Sequence, residues 1–178
     1  MSDFLSRRTG RRTVILTGVV AMFLAGMVPV SARNLTISGE FRSERIAPPA
    51  CTSPVALCTA GRSTGDVVGP FTLTGTSIIP TAQTATTGVV AYTADVVQHT
   101  KNGDLFCKDT GVTKVAGDGA ASSICVVTGG TGIYSGASGY IQFQSTLIPP
   151  IKFVGTYQGK LTGVGRVPDE GDEDEGQD

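Results

Sequence analysis

The side chains able to do chemistry in this chain are few, and their spacing limits what they can do together. His99 is the sole histidine, and Asp95 precedes it by two alternations of a strand-like run. A strand would hold the pair about 13 Å apart on one face, beyond the reach of a proton-transfer dyad. Because His99 sits beside Asn102-Gly103, a dipeptide suited to a two-residue hairpin turn, it reads as an exposed turn-end residue. In that turn His99 would face Phe106 and Lys101 would face Asp104. Tyr92, Tyr134, Tyr140 and Tyr157 can each lend a hydroxyl, although a core ring with its O–H satisfied is the commoner use of a tyrosine. A single histidine closes no Ser-His-Asp set, and the residue pattern supports no phosphoryl, hydride or metal chemistry. No catalytic residue is assigned on these grounds.

The cysteines carry a different chemistry. Residues 1–32 place Arg7, Arg8, Arg11 and Arg12 before an apolar run from Val14 to Val30, followed by the small residues Val30-Ser31-Ala32. This is the pattern of a secretory signal peptide cut after Ala32. An uncleaved anchor is the alternative, which Gly18, Gly26 and Pro29 disfavour, and Arg11-Arg12 leaves open whether export is general or twin-arginine. A secreted or periplasmic location favours paired thiols, and four cysteines allow three pairings. Chain proximity selects Cys51–Cys58 across a Pro-rich loop and Cys107–Cys125 across successive strands, each worth roughly 2–3 kcal/mol. Zinc would compete for these thiols, but the first pair is too widely spaced for a knuckle and His99 offers little help. No metal or cofactor is expected.

Charge narrows the partners. Beyond the leader the chain holds ten basic and fourteen acidic residues, and seven of the acids crowd into 168–178. That tail is expected to be disordered and solvated; a calcium loop would need ordered spacing and a turn glycine that it lacks. The body, 33–167, is mildly basic, without the clustered Lys and Arg of a nucleic-acid surface. After signal cleavage no segment calls for a membrane. Asn34-Leu35-Thr36 fits a glycosylation triplet, as chance would also produce in a Thr-rich chain.

These residues must be positioned by a β-rich scaffold. The chain has 24 glycines, 9 prolines and no tryptophan, and its Thr/Val-rich runs alternate with period two. Expected strands start at Asn34, at Gly61 (one long strand to Ile79, bent at Gly65, Gly69 and Pro70), at Val89 and at Asp104. Three more start at Ser122, Tyr140 and Lys152. Residues 46–58, 81–87 and 111–119 read as loops. About seven strands in chain order suit an up-and-down antiparallel barrel, with a two-sheet sandwich as the alternative.

The densest glycine stretch bears on that choice. Gly129-Gly130-Thr131-Gly132-Ile133-Tyr134-Ser135-Gly136-Ala137-Ser138-Gly139-Tyr140 reads as a sharp connection between strands. A phosphate cradle would need a following helix or a P-loop lysine, and Tyr140 to Leu147 alternates like a strand. Written Gly-Gly-Thr-Gly-x-Tyr-x-Gly-Ala-x-Gly-Tyr, the block resembles the signature of the dirigent and allene oxide cyclase barrel superfamily. Together with Gly65-Asp66-x-x-Gly69, the resemblance covers roughly residues 34–165 and implies a single all-β, eight-stranded up-and-down barrel. It also implies a lumen for small hydrophobic molecules, in which some members cyclise an epoxide and others steer phenoxy-radical coupling. In dirigent proteins the block continues Ala-Arg-Gly-Tyr. Here Ser138 replaces the arginine, which removes a cation able to stabilise developing negative charge.

Three functions follow as expectations: a barrel binding a small hydrophobic ligand, a cofactor-independent isomerase or cyclase, or a structural envelope protein with a filled core. Phe71, Leu73, Phe143, Phe153 and Tyr157 are the expected lumen residues. A binding lumen calls for an apolar cavity of about 300 Å³ or more, and a convergent Asp, Tyr or His within it would favour catalysis. The sequence sets no oligomeric state.

Overall fold

The computed structural model describes residues 32–166; the expected signal peptide (1–32, but for Ala32) and the acidic tail lie outside the described residues. Eight strands follow one another around a closed antiparallel barrel: β1 (Arg33–Arg45), β2 (Cys58–Ser63), β3 (Gly69–Pro80), β4 (Val89–Thr100), β5 (Gly103–Lys114), β6 (Ala120–Gly130), β7 (Ser138–Ile148) and β8 (Lys152–Val164). Each strand pairs with the next, and β1 closes the sheet on β8 from Arg33↔Val164 to Glu44↔Lys152. Because successive side chains alternate across the sheet, one set faces the lumen: Ile37, Phe41 and Ser43 on β1, Leu105, Cys107, Asp109 and Thr113 on β5, and Phe153, Tyr157 and Leu161 on β8.

The two ends of the barrel are built differently. At one end Ile37, Val67, Leu105, Val127, Leu161 and Val164 pack with Tyr134 and Ala137 of the glycine-rich connection. That connection turns through a short 3-10 segment, Gly132–Tyr134, and docks on the β4–β5 hairpin through Thr131 N–H to Asp104 O (2.8 Å) and Ile133 N–H to Asn102 O (3.1 Å). Gly132 is required there: its φ is +56°, and a Cβ would lie 2.2 Å from the Asn102 carbonyl. Leu105 and Leu161, each 1% exposed, contribute about 1.5–3 kcal/mol apiece by burial. At the other end the Pro-rich loop 46–57, closed by the Cys51–Cys58 disulfide, holds Leu57 over Gly75. Gly75 N–H donates to Leu57 O (2.7 Å), and Ser53 Oγ–H donates to Gly75 O (2.6 Å).

Cys107–Cys125 forms the second disulfide, between β5 and β6, so both expected pairings are present. Four expectations change. The run from Gly61 to Ile79 is two strands, not one bent strand: the chain reverses between Ser63 and Gly69, which pair with each other. Tyr157 fixes that reversal by donating its hydroxyl to Thr64 O and accepting from Val67 N–H, both at 2.9 Å. The β4–β5 turn is at Lys101-Asn102, so Asp104 pairs with His99 and not with Lys101, and His99 does not face Phe106; positive φ falls on Gly103 and not on Asn102, and a Cβ at Gly103 would lie 2.2 Å from the Thr131 carbonyl of the docked glycine-rich connection. Strand β5 continues through Lys114, where a loop from Gly111 was expected. A one-turn helix, α1 (Thr84–Thr87), sits within the expected 81–87 loop.

Candidate functional site in the barrel lumen

The lumen holds a cavity of about 100 Å³, lined from Leu57 toward one end to Val67 and Leu105 toward the other. Phe71, Leu73, Phe143, Phe153 and Tyr157 all line it, with Phe41, Val96 and Ile141 among their neighbours. The rings interlock edge to face: Phe41 meets Phe143 at 5.3 Å and 85°, and Phe71 at 6.0 Å and 69°. Such pairs add about 0.5–1.5 kcal/mol beyond their burial and fill much of the interior. The expectation of about 300 Å³ for a binding lumen is not met: the space left is well under it. It is closer to an engineered cavity of about 150 Å³ that accepts benzene.

Polar side chains also line this cavity, and one of them is a carboxylate. Asp109 on β5 is 3% exposed, and its Oδ2 accepts a hydrogen bond from the Tyr92 hydroxyl at 3.1 Å. Tyr92 reaches it because Gly111, its partner across the β4–β5 ladder, has no side chain. A Cβ at Gly111 would lie 2.7 Å from the tyrosine Cζ and hydroxyl and 2.6 Å from Ser123 Cβ. Burial pushes the Asp109 carboxyl above the ordinary carboxylate range, against the opposing pull of the Ser123 and Tyr92 hydroxyls beside it. Burial likewise pushes the Tyr92 phenol upward, and the Asp109 charge adds to the rise. Asp109 Oδ1 and Thr113 Oγ1 are buried with no hydrogen-bond partner among the described residues. Unsatisfied buried polar atoms cost about 1–3 kcal/mol each, so both mark places where a further group would be stabilised.

The other candidates are placed elsewhere. His99 Nδ1 and Asp104 Oδ1 lie 2.8 Å apart in an exposed pair at the hairpin, and Lys108 Nζ meets Asp95 Oδ1 at 2.6 Å on the outer wall. Tyr140 is 41% exposed and faces away from the core. Tyr157 lines the cavity with its ring, but its hydroxyl is spent on the β2–β3 reversal. Gly61-Arg62-Ser63-Thr64-Gly65 spells the Gly-x-Ser-x-Gly pattern of a nucleophile elbow, yet that role requires a strand-to-helix turn. Here a second strand follows, and Ser63 Oγ–H donates to Val67 O at 2.5 Å.

Asp109, Ser123 and Thr113 were not singled out from sequence. The signal was present: with Cys107 assigned to the interior by its disulfide, period two places Asp109 and Thr113 inside as well. A larger depression of about 530 Å³ on the outer wall is lined by Glu40, Arg42, Arg62 and Thr156 and opens to solvent. Among the described residues no cluster of three or more His, Cys, Asp or Glu is placed to hold a metal, and no helix is long and apolar enough to cross a membrane. The chain matches no protein-family model and no curated protein.

Proposed function

We propose that this is an exported barrel that holds a small, largely apolar molecule in its lumen, in the manner of the dirigent and allene oxide cyclase barrels its glycine block resembles. The observation that carries the reading is the combination of a largely apolar, aromatic-lined cavity with one buried carboxyl in its lining, Asp109, whose Oδ1 is unpartnered among the described residues. A filled structural core has no need of a buried, unsatisfied carboxyl. The cavity volume sets the ligand at a handful of non-hydrogen atoms, or at one apolar end of a longer molecule. Two disulfides support work in an oxidising compartment.

Ligand binding to the folded state raises stability by about 2.7 kcal/mol at a hundredfold excess over Kd. A thermal-shift screen of small hydrophobic compounds is expected to find several that raise the Tm of the disulfide-intact protein. Ala121→Leu, which fills the cavity wall between Thr113 and Ser145, is expected to abolish those shifts. A screen in which no compound moves the wild-type Tm would overturn the reading in favour of a structural barrel. The second reading, a cofactor-independent isomerase or cyclase, rests on the same buried carboxyl, since burial favours its protonated form and a carboxyl held inside an apolar site can give or take a proton. NMR of each bound compound distinguishes it: conversion to an isomer marks catalysis, and an unchanged spectrum marks binding alone.

A further inference from the structure

We infer that the lumen selects a small apolar amine, whose ammonium nitrogen pairs with Asp109 Oδ1 while its hydrocarbon body packs among the aromatic rings. This rests on the lumen-binding reading above and adds the ligand's charge and head group.

Three observations lead there. Asp109 is the single formally charged residue lining the cavity; no Lys, Arg or His is among the described residues that line it. Tyr92 donates its hydroxyl to Oδ2 and the Ser123 hydroxyl stands beside the carboxyl, which is the surrounding of a group that accepts. What Oδ1 lacks is one more donor. An isolated carboxylate in an apolar site is costly unless a cation accompanies it, so the missing partner is best a positively charged N–H group. Finally, Phe41, Phe71, Phe143, Phe153 and Tyr92 line the same space, and the negative ring faces attract an ammonium group. An anionic ligand would meet a carboxyl and ring quadrupoles with no compensating cation. Thr113 Oγ1, further along β5 and also unpartnered, offers a second acceptor to a polar substituent.

The test uses an isosteric series at neutral pH: isopentylamine, isopentanol and isovalerate, titrated calorimetrically into the disulfide-intact protein. A charge-assisted hydrogen bond contributes about 1.5–3 kcal/mol, so the amine is expected to bind roughly ten- to a hundredfold tighter than the alcohol. Isovalerate is expected to give no heat. In Asp109→Asn the amine's advantage over the alcohol is expected to vanish while alcohol binding persists. Equal affinity of amine and alcohol for the wild type overturns the inference, whether or not the variant folds, as does an amine preference that survives in the variant. If none of the three binds but other apolar compounds raise the Tm, the amine assignment fails and the lumen reading stands. If nothing binds, both fail.

Discussion

Asp109 makes the stability of the barrel depend on pH in a direction opposite to that of a salt-bridged carboxylate. Its ordinary value of 3.8 applies to the unfolded chain, and burial raises it in the fold. Between those two values the folded protein holds a proton that the unfolded chain releases, so stability falls as pH rises through that window. Asp109→Asn removes the titration and keeps an acceptor for the Tyr92 hydroxyl. We expect the variant to melt above wild type at pH 7, and the difference to close below about pH 4, where both carry a neutral group. Calorimetric melts across that range check it, and a gap that widens toward acid would sink it. That Asp109 lies inside was legible from alternation with Cys107. That Tyr92 would reach it was not, because the contact depends on the Tyr92↔Gly111 register, and register between two strands is set by the hairpin tip and by the glycine-rich connection docked on it.

At the scale of elements, β5 and β6 decide whether the Asp109 carboxyl lines the lumen. Their ladder slips between Phe106 and Cys107, where β6 carries Thr128 as an extra residue, and bulges of this kind re-aim the side chains beyond them. The Cys107–Cys125 disulfide ties the strands directly after the slip, with Cys125 opposite Asp109. A one-residue shift would turn Asp109 to solvent. Replacing both cysteines by serine is expected to lower stability by roughly 2–3 kcal/mol, measured by denaturant titration, and to weaken binding of lumen ligands to the remaining folded protein. Unchanged affinity in the double variant would show that the bulge holds its register unaided. The same scale explains the strand misreading at Gly61–Ile79. Gly65, Gly69 and Pro70 punctuate a bend and a reversal alike, and what selects reversal is a hydrogen bond from Tyr157, distant in sequence. By contrast β4 was legible to the residue, since Val89–Thr100 is bounded by Gly88 on one side and by a turn dipeptide on the other.

For the whole molecule, the sheet closes in chain order; short connections between successive strands suited a barrel and a two-sheet sandwich alike, and the resemblance of the glycine block favoured the barrel. The placement of Arg33 beside Val164 was not legible in the sequence, because it follows from the β1–β8 pairing. Arg33 and Val164 are partners across that seam and leave the barrel at the end packed by Tyr134 and Ala137. A mechanical load applied through these two residues acts across the strands and would part the seam rung by rung. A load applied through Arg33 and Lys152, at opposite ends of the same seam, runs along the strands and must shear all of its rungs together. Single-molecule extension is therefore expected to need less force with the first pair of handles than with the second. Equal forces would mean that resistance comes from the lumen packing and not from the seam. Anchored by both ends, this barrel would behave as a soft link that opens under modest tension, however well it withstands heat.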